Sequence, residues 1–419
     1  MDSKFRVSVF LALAVVILVQ GKDELEETLL QIATASNTFG MELHRTMTQT
    51  SVQNKNTFFS PLSIYSAFAM VSAGARKSSS DQLQKVLNWD SFSTPKDLLT
   101  GHQKLKLFLK SAFYSSTDNP IKFANKLWIQ KHFCISSCKS YVKLLQENYY
   151  SELGISQFVK RPEEARLTIN KWVAKKTANK IPELLEPGTV RSTTRLVLTN
   201  AVYFKRNWKY QFDKAATTSL PFHVSKDNSV QANMMKMTSE IGYTQDASNQ
   251  VLELPYTTDS ISMVVILPKD IEGITKLEKS LDDAMLRQYL QSLRKKKVEI
   301  SMPKFKLSSD MHLKDYLSLM GVRDIFDPFL ADLSGMTGYK GLFITHAIHQ
   351  GFVDVSEEGT EAAAATGVTA GFRSLVPNIF RFNANHPFMF AIIHKPTNGV
   401  LFLGKIVDPT NEKSSPHSN

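Results

Sequence analysis

The sequence predicts an α+β protein made as one large domain. Two observations carry this. Apolar residues at helical spacing cluster in the first half of the chain, whereas β-rich runs cluster after residue 196. Nothing divides the 419 residues: there is no Pro/Ser/Gly-rich linker, long charge run or internal repeat, and a 42% hydrophobic content is ample for a large core.

The elements follow in order. Glu24 to Met47 has helical spacing of Leu25, Leu29, Ile32, Phe39, Met41 and Leu43. Ser60-Pro61 is a helix start, with the serine as cap and proline at the first helical position. The helix it opens, Leu62 to Ala73, is apolar nearly all round and is expected to be buried. Arg166 to Lys180 reads as a helix with Ile169, Trp172, Val173 and Thr177 on one stripe. Leu196 to Phe204, Ser262 to Pro268, Val298 to Leu307 and His386 to Ile393 are strands. Asp310 to Met320 is a helix stopped by Gly321. Gly399 to Gly404 follows the turn signal "PTNG" and closes a hairpin.

Residues 1–21 read as a leader outside the fold. Lys4 and Arg6 precede an apolar run, Val7 to Val19, and Val19-Gln20-Gly21 fits the small-residue rule for cleavage. The run is too short to span a bilayer, so no membrane partner is expected. A secreted, extracellular protein is the expectation. Cleavage would lower the charge from +11 to +10, since Asp2, Lys4 and Arg6 leave together. There are only two cysteines, Cys134 and Cys138, so the core stands without a disulfide framework. Their spacing allows a small closed loop or two free thiols. No Asn-x-Ser/Thr sequon occurs.

Catalytic motifs are missing. There is no G-x-S-x-G elbow, H-E-x-x-H, Walker loop or paired C-x-x-C. His346 and His349 have no cysteine or carboxylate to complete a metal set, and in a strand residues three apart face opposite sides. The positive charge lacks the aromatic interleaving of a base-stacking surface. The chain is therefore read as no enzyme, with no cofactor, no metal and no nucleic-acid partner.

Several long stretches, in order, resemble the signatures of the serpin family. They are "NTFFSPLSIYSAFAM" (Asn56 to Met70), "FANKLWI" (Phe123 to Ile129), "INKWVAKKTANKI" (Ile169 to Ile181), "LTNAVYFKRNW" (Leu198 to Trp208), "LELPY" (Leu252 to Tyr256), "GTEAAAAT" (Gly359 to Thr366) and "FNANHPFMFAI" (Phe382 to Ile392). The resemblance covers roughly residues 28–409, leaving 22–27 as an N-terminal extension and 410–419 as a tail. It implies a single α+β domain of eight or nine helices and three β-sheets, acting as a monomeric protease inhibitor. It also implies an exposed reactive-centre loop, about residues 357–378, offered to a protease as bait. After cleavage the loop inserts as a new strand in the largest sheet and drags the acylated protease with it.

The loop's composition suits that task. Side chains of a strand alternate between faces, so a segment entering a closed sheet must alternate as well. With Thr360 as the first inward residue, the inward set is Thr360, Ala362, Ala364, Thr366, Val368 and Ala370, all uncharged and small or medium-sized. None imposes the cost of burying a charge. The outward set begins with Glu361, Ala363 and Ala365. Fenced by Gly359 and Gly367, this Ala-rich run is too short to repay helix nucleation and is a poor strand former, so it stays weakly committed.

By the resemblance, about seventeen residues separate the hinge from the scissile bond; counted from Glu357 this ends on Arg373, giving Arg373–Ser374. Arg suits a trypsin-like pocket, where a buried carboxylate receives the guanidinium. A shift by one gives Phe372–Arg373 and a chymotrypsin-like target. Ser60, Ser63, Asn200 and His349 match the family's polar cluster beneath the parting strands, and Trp208 the aromatic where insertion begins. Lys104, Lys106 and Lys110 lie where some serpins bind heparin-like glycans, and Arg294 to Lys297 is a second basic cluster. A non-inhibitory carrier or storage role, and inhibition of papain-like cysteine proteases, are the alternatives.

Overall fold

The computed structural model describes residues 3–50, 54–89, 97–113, 121–134, 138–360 and 379–414. The first half is mostly helical: α1 (Ser3–Thr50), β1 (Thr57–Phe59), α2 (Pro61–Gly74), α3 (Lys77–Val86), α4 (Asp97–Phe113), β2 (Ile121–Gln130), α5 (Lys139–Tyr149), β3 (Glu152–Ser156) and α6 (Pro162–Lys176). Strands then dominate: β4 (Leu196–Phe204), β5 (Arg206–Asn207), β6 (Thr218–His223), β7 (Ser229–Gln245), β8 (Asn249–Pro255) and β9 (Ile261–Pro268). Next come α7 (Ile274–Ser280), α8 (Asp283–Ser292), β10 (Arg294–Pro303), β11 (Phe305–His312), α9 (Leu313–Leu319) and α10 (Ser334–Thr337). The chain closes with β12 (His346–Ser356), β13 (Gly359–Thr360), β14 (Phe380–Asn383), β15 (Phe388–His394), β16 (Gly399–Ile406) and β17 (Lys413–Ser414).

The predicted helix start after Ser60 forms as read. Ser60 Oγ accepts the Ser63 N–H, Pro61 opens α2, and every residue of α2 except Ala73 is buried. Two expected elements differ. Val298 to Leu307 is not one strand: it breaks after Pro303 into β10 and β11, which lie in different sheets. Asp310 to His312 continue β11, so the helix α9 starts only at Leu313. Gly321, at φ +107°, ends that segment in a conformation that side chains disfavour.

The described strands form two hydrogen-bonded sheets. One has nine strands, in the order β1-β16-β15-β9-β8-β7-β10-β14 with β6 against β7. The long β7 pairs with β6, β8 and β10, so it joins two sheets that the resemblance counted separately. The other has eight strands, in the order β17-β11-β12-β4-β2-β3, with the short β13 between β12 and β5. Aromatic rings fill the space between the sheets: Phe58 stacks on Phe402 at 5.3 Å, and Phe390 meets Phe305 at the same distance. On the outer face of the eight-stranded sheet, Ile169 and Val173 of α6 pack against Ala124 of β2, Val197 and Ala201 of β4, and Ile348 of β12. That helix thus lies across the strands on either side of the seam between β4 and β12.

Candidate functional site

The seam is the sheet's distinctive feature. β12 and β4 run parallel, paired from His346↔Val197 to Phe352↔Tyr203, and His349 faces Asn200 on the same rung. Beneath it, α2 supplies Ser60 and Ser63. His349 Nε2 accepts the Ser60 backbone N–H at 3.2 Å, so Nδ1 carries the ring proton and donates to Asn200 Oδ1. Asn200 Nδ2 donates to the Ser63 carbonyl at 3.0 Å, to Ser63 Oγ at 2.8 Å and to Asn125 Oδ1. Ser60 Oγ donates to the Leu401 carbonyl at 2.6 Å. Burial pushes His349 down to about 3, so the imidazole is neutral at physiological pH. His346, three residues away, sits half-buried at one end of the paired rungs and has no part in this network.

Sequence reasoning placed Ser60, Ser63, Asn200 and His349 together, and the structure brings them into one network. It missed Asn125. The available signal was alternation: Phe123, Asn125 and Leu127 share a face of β2, and an amide at such a position needs buried partners.

At one end of the seam the chain turns at Glu357-Glu358 and returns as β13. Thr360 pairs with Val355 of β12 and with Arg206 of β5, both antiparallel. Its side chain is fully buried, and its hydroxyl lies 3.1 Å from the Tyr256 hydroxyl. Gly359 has φ +141°, and a Cβ there would lie 2.3 Å from the Arg206 carbonyl oxygen, so only glycine fits. Trp208 stacks on Tyr256 at 4.5 Å, and its Nε1 donates to the Ser356 carbonyl at 2.9 Å. The two turn carboxylates are clamped from different sides. Glu357 pairs with Lys304 at 2.8 Å and accepts the Thr217 hydroxyl at 2.8 Å; Glu358 pairs with Lys214. Burial alone would raise the Glu357 carboxyl, but hydrogen bonds from Lys304, its own backbone and Thr217 outweigh it and hold it below the ordinary range. Lys304 is the residue between β10 and β11, the point where the sequence reading ran the two strands together.

Arg373, Ser374 and the loop residues Glu361, Ala362, Ala363, Ala364, Ala365 and Thr366 lie outside the described residues. Cys134 and Cys138 are joined as a disulfide. Of the basic candidates on α4, Lys106 and Lys110 are one helical turn apart, whereas Lys104 points elsewhere and donates to Gln31 of α1 at 3.1 Å. Arg294 to Lys297 are exposed on β10, but a strand splits them between its two faces.

Comparison with known proteins places this geometry. The serpin family model, described as serine protease inhibitor, matches residues 34–409. The chain is 41% identical to the leukocyte elastase inhibitor of Bos taurus and 38% to that of Homo sapiens, each over 387 residues, 90% of this chain and 100% of the relative. Among solved structures it superposes on uncleaved ovalbumin with a TM-score of 0.80 at 28% identity, covering 90% of this chain and all of that one. It superposes on human thyroxine-binding globulin complexed with thyroxine with a TM-score of 0.83 at 27% identity, covering 92% of this chain and all of that one.

One expectation is corrected. The relatives are matched over their whole length within 90% of this chain, so they are complete inhibitors without a counterpart to its remaining tenth. The secreted, extracellular location inferred from residues 1–21 does not stand against them. The physical reason is that a basic start followed by an apolar run also describes the opening of a helix. Here residues 3–50 form one uninterrupted helix, α1.

Proposed function

The chain belongs to the serpin family of serine protease inhibitors, and we propose that it inhibits trypsin-like serine proteases as a suicide substrate cleaved at Arg373–Ser374. The observation that carries this reading is the seat of β13. A short strand antiparallel to both neighbours already occupies one end of a seam whose remaining rungs pair parallel. If insertion continues that register, Ala362 comes opposite Val353, Ala364 opposite Gly351 and Thr366 opposite His349. Small side chains would then enter where space is least: a Cβ on Gly351 would already lie 3.0 Å from the Phe58 ring.

The polar seam supports the same reading. A strand entering between β4 and β12 must break the His349–Asn200 contact. Each freed group can find a replacement partner, in keeping with the small net worth of an exchanged hydrogen bond. Trapping is then a race between insertion and hydrolysis of the acyl-enzyme.

The relatives named for leukocyte elastase favour a second reading, cleavage after Phe372 by a protease with an apolar pocket. Mixing the protein with trypsin or chymotrypsin separates the readings. A band that resists boiling in detergent near the summed masses, with a released peptide starting at Ser374, is the expected outcome with trypsin. A peptide starting at Arg373 would move the bait bond. Only clipped protein would make the chain a substrate, in keeping with a carrier or storage role. We further propose that Lys106 and Lys110 give weak affinity for heparin-like glycans, without Lys104; flow-through from a heparin column at low salt would remove the idea.

A further inference from the structure

The two carboxylates of the turn between β12 and β13 are not equally secured. Both are buried, Glu357 at 5% and Glu358 at 7% exposure. Glu357 has side-chain partners on two elements, Lys304 and Thr217. Glu358 has one. Its Oε1 takes the Lys214 ammonium, and its Oε2 is buried with no hydrogen bond among the described residues. A buried carboxylate is costly unless it is paired. The charge of Glu358 therefore depends on a single lysine, which is itself largely in water.

The fold holds that lysine in place. Lys214 opens a 3-10 turn, Lys214–Ala216, which Asp213 fixes by accepting the Ala215 N–H at 2.9 Å. This turn belongs to the segment that leads from β5 to β6. The same segment donates two backbone hydrogen bonds to the carboxylate-bearing turn. Trp208 N–H reaches the Glu358 carbonyl and Phe212 N–H the Glu357 carbonyl, both at 2.9 Å. β13 lies between β12 and β5. Residues 208–217 thus grip the turn from the β5 side, across the seat of β13.

We infer that Lys214 is the positioning residue of this turn: by neutralising Glu358 it keeps Gly359 and Thr360 in register between β12 and β5. Without Lys214, Glu358 carries a buried charge with no partner. The smallest rearrangement that relieves it is local. β13 has only two rungs with each neighbour, so the turn swings the carboxylate into water by giving up those rungs. The cost then appears as opening of the turn, not as a loss of global stability. A seated β13 is also the seed from which insertion would continue, so Lys214 favours trapping over hydrolysis. That consequence rests on the loop-insertion reading above; the positioning role does not.

The test is hydrogen exchange of the full chain, followed by mass spectrometry. In Lys214→Ala the peptide spanning Ser356 to Thr360 exchanges severalfold faster, whereas β9 and β15 keep wild-type rates. Lys214→Arg keeps the charge and exchanges as wild type. Glu358→Gln removes the charge that needs a partner, so adding Lys214→Ala to it brings no further acceleration. Unchanged exchange in Lys214→Ala, acceleration spread to β9 and β15, or the same acceleration in the Glu358→Gln background overturns the role. For trapping, Lys214→Ala raises the number of inhibitor molecules consumed per trypsin inactivated by roughly two- to fivefold, the range of one exposed ion pair. A wild-type number overturns that consequence. If the wild-type protein itself does not trap trypsin, the insertion reading fails and the consequence falls with it, while hydrogen exchange still decides the positioning role.

Discussion

The two sheets solve the same packing problem with opposite chemistry. In the nine-stranded sheet, every residue of β9, β15 and β16 is buried, and the rings facing the other sheet are Phe58, Phe390 and Phe402. In the eight-stranded sheet, β4 is just as buried, yet its middle rung is Asn200 against His349, with Ser60 and Ser63 beneath and Asn125 beside it on β2. Apolar interlock loses its whole contribution when separated, because nothing replaces the lost contacts. A polar network can exchange partners. The molecule thus has one sheet held by apolar interlock and one seam held by a polar network, which the proposed insertion would open.

The largest effect expected from this contrast is in the closed sheet. Phe390→Ala leaves a cavity between Phe58 and Phe305 and lowers stability by about 3–5 kcal/mol, read from denaturant unfolding. A loss below that of a seam variant would mean that the two sheets are not distinguished in this way. Asn200→Ala strands the buried His349 Nδ1–H, with an expected loss of roughly 1–3 kcal/mol. Near-neutrality by the same measurement would show that water fills the seam.

Thr360→Arg acts on opening rather than stability. Thr360 is buried against Tyr256, so an Arg must bury its charge or leave the sheet. Each ~1.4 kcal/mol added to the insertion barrier slows trapping about tenfold, and cleavage at the bait bond continues. More inhibitor should be consumed per trypsin inactivated; a parental value would mean that the seat of Thr360 does not matter to insertion.

Acid probes the seam by titration. His349 is pushed to about 3, and burial likewise pushes His102 and His394 to about 4. These folded values lie below the ordinary value near 6.5, so the unfolded chain binds more protons between the two. Stability is therefore full above about pH 6.5 and falls as pH drops toward the folded values, by roughly 1.4 kcal/mol per unit for each group. His349→Gln should remove one group's share of the loss between about pH 7.5 and 5.5. An unchanged difference in denaturant midpoint would exclude His349 from it. The smallest effect belongs to Lys214→Ala. Its ammonium is 66% exposed, so breaking the pair with Glu358 should shift the denaturant midpoint least of these variants; a shift as large as that of Asn200→Ala would make the turn a structural keystone.

The sequence by itself determined the class of fold, the helix start at Ser60-Pro61, β4 to the residue, and the alternation that makes a loop fit for a sheet. These are local properties: a cap, a proline, a period of two. It also yielded the members of the polar cluster, because long motifs carry them in order. Only the tertiary structure decided which distant groups meet. Lys304 reaches Glu357 and Lys214 reaches Glu358 because the chain crosses between sheets at Pro303 and folds back beside the turn. Asn125 joins Asn200 because β2 and β4 pair in one register of several. Lys104 leaves Lys106 and Lys110 because α1 packs on that side of α4. Local pattern fixes what an element is and which face it buries. The partner on that face depends on strand order and register, and these are set by the packing of the whole core.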